Sequence, residues 1–256
     1  SQSPNTPGNN LWPSEGWSGL ELYTKTNIPG WKRSLVAAGL KWGRLLRLKL
    51  AANGTTTLPS GLSQNNTGDT ITLLQSSNRY RDLAFDPNGR DIYIIMDNGA
   101  SSVATDGNPP AAPACQGCLI KYTFLGYADK AGKSTIPTTV DVTTGTANTC
   151  EPGTAITIDN TNNNLWVPIT GPDGNILAEI KANGNNLGTV TSTFFLNSGK
   201  VREDLANKLY LDRNITITPQ VQPTSPVDIR LYLTGNELTA LRNAKNSKGV
   251  ASGVND

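Results

Sequence analysis

Two arginines separated by a single residue are the feature of this sequence best suited to binding chemistry. Arg79 and Arg81 stand at the mouth of a strand-like run, within Asn78-Arg79-Tyr80-Arg81-Asp82. Because side chains alternate between the two faces of a strand, both guanidinium groups are predicted to point to the same side. A guanidinium group binds a carboxylate through two parallel hydrogen bonds. The spacing therefore suits a ligand that carries several carboxylates.

The alternative for the arginine pair is structural. Carboxylates of the same sheet, such as Asp82 and Asp91, are able to neutralise a guanidinium group without any ligand. On residue types alone this alternative is the favoured one. Lys41, considered by itself, is likewise interpreted as a solvated loop lysine. Only the wider order of motifs along the chain favours binding.

The region that must position the arginines is a series of short strands joined by turns. Asp86-Pro87-Asn88-Gly89 is a strong turn signal, because Pro sets φ and Asn-Gly accepts positive φ. Four strands in roughly 40 residues is the rhythm of a β-propeller blade, and there is room for about two blades. The predicted strands lie at 20–23, 34–37, 44–50, 70–74, 82–85, 91–96 and 119–124.

The second half of the chain differs in texture and predicts a separate domain. A run of strands with intervening turns is typical of a β-sandwich, and the Thr234–Glu237 spacing is a capping box that predicts one short helix. We therefore expect an all-β chain, with a partial propeller in residues 1–127 and a sandwich in residues 128–256. The sandwich strands are predicted at 154–158, 164–170, 175–180, 188–196, 209–211, 213–218 and 227–233.

Composition excludes several classes of function. The net charge is +2 without any basic stripe, which gives no case for nucleic-acid binding. No apolar run reaches the length of a membrane span. The chain contains no His, so neither a Ser-His-Asp nor a Cys-His set is possible. Plentiful Asn and Thr with few charges favours an extracytoplasmic location: periplasm, secreted or cell surface.

The three cysteines form an odd set. Cys115 and Cys118 have the spacing of a metal knuckle, but a structural zinc site needs four ligands and the only further Cys is Cys150. We therefore predict no metal here. A disulfide from either Cys115 or Cys118 to Cys150 is expected, and it would staple the connection between the two halves. The sequence leaves open which cysteine stays free.

Three motifs taken in order carry a resemblance to a known family. Trp12-Pro13-Ser14, Gly39-Leu40-Lys41-Trp42-Gly43-Arg44 and the arginine pair follow one another along the chain. Together they resemble the closing blades of the soluble glucose/sorbosone dehydrogenases that depend on pyrroloquinoline quinone (PQQ). The resemblance runs from about Trp12 to Phe124. The second half resembles, more loosely, accessory β-sandwich modules of secreted bacterial proteins.

The family resemblance implies roles for four residues. Lys41, Arg79 and Arg81 match cofactor-binding positions, and Trp12 matches an aromatic side chain on the sugar side of the pocket. A lysine is a compact donor for a quinone oxygen, and a Trp face suits stacking on a sugar. The family fold is a six-bladed propeller in which calcium holds the quinone and a His is the general base.

The family also implies a reaction that this chain cannot complete by itself. A parent enzyme would oxidise the anomeric carbon of an aldose to a lactone and pass the electrons to an external acceptor. The general base and the calcium ligands would come from upstream blades. We therefore expect a mid-protein fragment that is inactive alone. The alternative hypothesis is a non-catalytic carbohydrate-binding or adhesion module of a secreted or cell-surface protein.

Overall fold

The structure, a computed structural model, describes residues 16–41, 43–57, 71–100, 115–128 and 150–254. Within these ranges strands dominate and every pairing is antiparallel, which confirms the predicted all-β class. No helix in them is long and apolar enough to cross a membrane. The elements are β1 (Trp17–Tyr23), β2 (Ser34–Gly39), β3 (Arg44–Lys49), β4 (Ile71–Leu73), β5 (Asn78–Phe85), β6 (Asp91–Ala100), β7 (Leu119–Thr123), β8 (Glu151–Pro152), β9 (Ile156–Ile158), β10 (Val167–Thr170), β11 (Ile176–Lys181), β12 (Gly188–Glu203), β13 (Leu209–Pro219), β14 (Asp228–Leu231) and α1 (Gly235–Asn243).

Contacts between residues divide the chain into two units. Unit 1 consists of Ser1–Thr24 and Arg33–Thr123, and unit 2 consists of Lys25–Lys32 and Phe124–Asp256. The short segment in unit 2 bonds there: the Gly30 amide donates to the Gly174 carbonyl at 2.8 Å. The domain boundary between residues 127 and 128 stays a prediction.

Unit 1 contains two antiparallel meanders. In the first, β1, β2, β3 and β4 are hydrogen-bonded in chain order, as in a propeller blade. In the second, β5, β6 and β7 follow the same rule. The side chains of Leu20 and Leu22 form an apolar row on the outer face of β1, and both are exposed to solvent. Alternation of side chains places this row opposite the buried residues of the same strands.

The inner faces of unit 1 pack around buried tyrosines. The Tyr23 ring meets Phe85 edge-on at 4.9 Å, and its hydroxyl donates to the Gly89 carbonyl at 2.6 Å. Gly89 has φ of 71°, the positive value that the predicted Pro-Asn-Gly turn requires. This turn joins β5 to β6 and thereby sets the hairpin that carries the arginine pair.

Unit 2 holds two small sheets that contribute to one hydrophobic cluster. β10, β11 and β14 form one sheet, while β12 pairs with β13, β8 and β9 in the other. Val167 and Ile169 from the first sheet meet Val190 and Phe194 from the second in this cluster. Burial of such aliphatic and aromatic side chains is the main stabilising contribution to a small β domain.

The helix predicted from the Thr234–Glu237 spacing is present, with both bonds of the capping box formed. Glu237 is only 2% exposed, and it pairs at 2.6 Å with Arg213, which is 11% exposed. Burial acts to raise the pKa of Glu237, but the Thr234 amide, Arg213 and the Thr234 hydroxyl together lower it. This arginine–carboxylate pair therefore belongs to the interior of unit 2.

Candidate anion-binding site

The β5–β6 hairpin places the arginine pair on its outer side. Tyr80, between the two arginines, is fully buried, and its hydroxyl donates to the Leu74 carbonyl. Desolvation by burial raises the pKa of Tyr80 to about 12, so the phenol stays protonated. Because neighbouring side chains in a strand point in opposite directions, an inward Tyr80 leaves Arg79 and Arg81 pointing outward.

Both guanidinium groups converge on one carboxylate, Asp97 of β6. Its Oδ2 lies 2.6 Å from Arg81 Nη2 and 3.7 Å from Arg79 Nε. Asp97 is a carboxylate of the neighbouring strand, so the arginines do pair within the sheet as the structural alternative predicted, although with neither of the two aspartates named for it. Asp91 pairs with Lys121 at 3.4 Å, and Asp82 accepts a hydrogen bond from the Leu83 amide at 2.9 Å.

The cluster carries more positive than negative charge and keeps unused donors. The side chains of Arg79 and Arg81 are 35% and 53% exposed, so an incoming anion can reach them. Arg79 Nε is itself buried and has no hydrogen-bond partner among the described residues. A buried donor without an acceptor is costly, whereas the solvent-accessible remainder of the two side chains is the part that a ligand can contact. The donor set therefore fits a carboxylate-bearing group.

Gly99 lies beside the first guanidinium. A Cβ at this position would lie 3.4 Å from Arg79 Cδ and 3.6 Å from Arg79 Nη1. Both are ordinary van der Waals distances, so the Arg79 side chain packs against the backbone at position 99.

Local hydrogen bonds and charge set the state of Asp97. The Asn98 amide donates to Asp97 Oδ1 at 2.7 Å, and this bond is the largest influence that lowers the pKa of Asp97. Arg81 and then Arg79 act in the same direction. The carboxylate therefore remains ionised at neutral pH and holds both arginines by charge.

Lys41 lies on the turn between β2 and β3 of the first sheet. The backbone that leads into β5 of the second sheet lies against this turn. The Ser76 amide donates to the Gly43 carbonyl at 2.8 Å. A Cβ on Gly43 would overlap the carbonyl oxygens of Ser76 and Asn78, so the turn packs directly against the backbone before Arg79. Lys41 itself is half-buried and makes no ion pair within the described ranges. Trp12 lies outside the described residues.

The cysteine prediction was wrong. Cys115 forms a disulfide with Cys118, and Cys150 is free and exposed. The physical reason is the tight turn between the two: Gly117 takes φ of 63°, and the two Cα atoms come to 5.8 Å, within the normal range for a disulfide. Among the residues that the structure describes, no three His, Cys, Asp or Glu side chains group as metal ligands.

Sequence reasoning also missed the position of this disulfide turn, residues 115–118. The Cys115 amide donates to Asn78 Oδ1 at 3.0 Å, and the Met96 amide donates to the Cys118 carbonyl at 2.8 Å. The Gly117 amide lies 3.3 Å from the Asp97 carbonyl oxygen. The turn therefore contacts both strands of the arginine-bearing hairpin.

Comparison with known proteins agrees with this geometry. Residues 4–105 match the family model described as glucose/sorbosone dehydrogenase. This part of the chain is similar to the glucose/sorbosone dehydrogenase family. The matched range includes Trp12, Lys41, Arg79 and Arg81, so the resemblance based on those residues is confirmed at the level of the family.

A curated relative supports the same assignment. The chain is 30% identical over 115 residues to quinoprotein glucose dehydrogenase B of Acinetobacter calcoaceticus. That match covers 44% of this chain and 22% of the relative. The chain therefore spans well under half the length of the curated relative that it matches.

Proposed function

We propose that unit 1 forms the carboxylate-binding side of a PQQ site in a sugar dehydrogenase. In this proposal Arg79 and Arg81 bind carboxylates of the cofactor, and Lys41 donates to a quinone oxygen. The observation that carries it is the convergence of two guanidinium groups, one half-buried and one exposed, on a single carboxylate oxygen of Asp97. Two cations against one anion leave a net positive charge at a position that solvent reaches.

The bound quinone would supply the two-electron acceptor for hydride from the anomeric carbon of an aldose, giving a lactone. The protein's own residues contribute binding and orientation. Lys41 is a compact cation that favours negative charge on a nearby oxygen, and Trp12 offers a flat apolar face to a sugar ring. Since the sequence contains no His, the general base comes from elsewhere in the parent protein.

Further blades of the same parent are the partners that this proposal requires. Leu20 and Leu22 on β1 and Ile95 and Leu119 on the second sheet are exposed. Blade faces of this kind become buried when a neighbouring blade packs on them. The calcium ligands would lie in those blades, and an external acceptor would remove the electrons. The disulfide at Cys115 supports an extracytoplasmic location, since disulfides persist in oxidising compartments.

The test is a PQQ titration, followed by absorbance, of the full-length gene product that contains this chain. Arg79→Ala and Arg81→Ala are each expected to weaken uptake about ten- to hundredfold, the value of a hydrogen bond to a charged group. Arg202→Ala is the matched control, because Arg202 pairs with Asp212 at 2.9 Å in unit 2. Unchanged uptake in Arg79→Ala would refute the site assignment.

Carbohydrate binding without catalysis is the second candidate function. Trp17 is 51% exposed on β1, and an exposed indole face is a common stacking surface for sugars. If this function is correct, a soluble polysaccharide binds the chain and Trp17→Ala abolishes that binding, while PQQ produces no absorbance change. Loss of PQQ uptake in Arg79→Ala with unchanged polysaccharide binding in Trp17→Ala would contradict it.

A further inference from the structure

The disulfide turn is bonded to the two residues that frame the arginine pair. Asn78, which directly precedes Arg79, is almost fully buried and accepts the Cys115 amide. Asp97, which receives both guanidinium groups, has its carbonyl oxygen 3.3 Å from the Gly117 amide. One residue before Asp97, the Met96 amide donates to the Cys118 carbonyl. The turn thus bridges β5 and β6 at the end of the hairpin that carries the site.

Those bonds fix the backbone on both sides of the cluster. The Asn78 amide and side chain also bond to the Ser76 hydroxyl, at 3.1 and 3.3 Å. Asn78 therefore connects the disulfide turn to the backbone at Ser76. The turn that carries Lys41 packs against that same backbone. An intact S–S bond holds residues 115–118 in the one conformation that makes these contacts, because it removes alternative backbone states of the turn.

We propose that the Cys115–Cys118 disulfide turn is a redox-sensitive positioning element, which holds Asp97 where Arg79 and Arg81 converge and so preorganises the anion site. The identity of the anion rests on the proposed function. The positioning itself depends only on contacts within unit 1. In the oxidised form the two guanidinium groups are ordered before a ligand arrives, and in the reduced form they must be ordered during binding.

The chemistry is an exchange with a dithiol reductant. A thiolate of the reductant attacks one cysteine sulfur, the S–S bond breaks and a mixed disulfide forms. The second thiol of the reductant then attacks the reductant's own sulfur in the mixed disulfide and displaces the cysteine sulfur that was attacked first. Cys115 and Cys118 each end as a thiol, two electrons and two protons having passed to the protein, and the reductant leaves as its own disulfide. The turn is reachable, since Gln116 and Gly117 between the cysteines are exposed.

The experiment compares the oxidised chain, the chain reduced with dithiothreitol, and the double variant Cys115→Ser with Cys118→Ser. Benzene-1,3,5-tricarboxylate is the probe, because it offers carboxylates without requiring the rest of a PQQ pocket. Its affinity, measured by NMR titration, is expected to fall about tenfold in the reduced and double-serine forms, the cost of ordering one or two long side chains. Reoxidation is expected to restore it. Cys150→Ser is the matched control.

A second measurement separates positioning from general loosening of the fold. The Asp97 carboxyl carbon, titrated by NMR, reports how closely Arg81 and Arg79 approach it. We expect the pKa of Asp97 to rise toward its ordinary value in the reduced and double-serine forms, while the unfolding midpoint of the β12–β13 region in unit 2 does not move. The hydrogen bond from the Asn98 amide to Asp97 is local, so it lowers the pKa of Asp97 in all forms.

The outcomes distinguish this inference from the proposed function. An unchanged Asp97 titration together with equal tricarboxylate affinity in both redox forms would overturn the positioning role, whatever the PQQ titration gives. A rise in the pKa of Asp97 on reduction, with no PQQ uptake by the full-length protein, would support the positioning role and refute the quinone assignment.

Discussion

Two of the arginine–carboxylate clusters among the described residues are built in opposite ways. In unit 2, Arg213 and Glu237 form a buried pair with one charge of each sign, and Arg213 also donates to the Tyr232 carbonyl. In unit 1, Arg79 and Arg81 share the single carboxylate of Asp97 at a solvent-accessible position. The first cluster balances its charge internally, whereas the second does not.

This difference separates a structural ion pair from a binding site. A buried charge must be paired and hydrogen-bonded, because isolated burial is very costly. Glu237 meets that demand through Arg213 and the capping bonds of Thr234. An exposed cluster faces no such demand, so an excess of one charge sign at Arg79 and Arg81 is tolerated in water and is available to a ligand.

The largest effect is expected from Arg213→Ala. Removing one partner of a buried ion pair leaves the other charge uncompensated, so we expect a loss of about 3–5 kcal/mol in the free energy of unfolding. Urea denaturation followed by circular dichroism measures this loss. Arg81→Ala, which breaks the pair with Asp97 in which the arginine is 53% and the aspartate 27% exposed, is the control and should cost no more than about 1 kcal/mol. Similar losses in both variants would remove the distinction between buried and exposed pairs.

Gly43→Ala should have the next largest effect, and it disturbs the site without altering its charges. Gly43 has φ of 57°, and a Cβ would overlap the carbonyl oxygens of Ser76 and Asn78. Strain in the left-handed region and overpacking together predict a loss of about 2–4 kcal/mol. Gly54→Ala is the matched control, since φ is 70° there but no atom lies within 4 Å of the added Cβ. The control should cost about 1–2 kcal/mol by urea denaturation. Equal costs would show that the turn of Lys41 is not packed against β5.

The features that could be predicted from the sequence are those set by near neighbours in the chain. Strand alternation predicted that Arg79 and Arg81 point to the same side, and the Thr234–Glu237 spacing predicted the helix cap. Strand ends were less accurate. The sequence predicted two strands separated at Asp212. The structure has one continuous strand there, β13 (Leu209–Pro219), which pairs along the long strand β12.

Features that depend on distant contacts were not accessible in this way. Asp97 lies next to the arginines because the register between β5 and β6 shifts twice between Asn78 and Asp82. The cysteine pairing depends on the turn geometry at Gly117, which composition does not reveal. Spacing identified the cations of the candidate site, but not the carboxylate or the disulfide turn that surrounds them.

Glu179→Gln should produce a smaller effect whose sign depends on pH. Glu179 is fully buried, and desolvation raises its pKa although Tyr232 and Arg230 oppose the shift. A raised folded-state pKa gives stability that is fully present below the unfolded-state value and is lost as pH rises through the folded-state value. Glutamine cannot ionise, so the stability of the variant should rise relative to that of the wild type as the pH is raised from 4 to 7. Urea midpoints at pH 4 and pH 7 measure this difference. A variant whose midpoint falls relative to that of the wild type between pH 4 and pH 7 would contradict the prediction.

Asp97→Asn should have the smallest effect on stability, although it makes the same carboxylate-to-amide change as Glu237→Gln. The lowered pKa of Asp97 means that its contribution exists above the unfolded-state pKa and disappears as pH falls, but exposure to solvent and salt keeps that contribution small. We expect no measurable change in the urea midpoint at pH 7, whereas Glu237→Gln leaves Arg213 buried without its charge partner and lowers the midpoint clearly. Tricarboxylate binding to Asp97→Asn should become more salt-dependent, because two guanidinium groups then face the ligand without an opposing charge. If Asp97→Asn instead destabilised the chain as much as Glu237→Gln, the unit 1 cluster would be a structural ion pair, and its excess of positive charge would no longer point to a ligand.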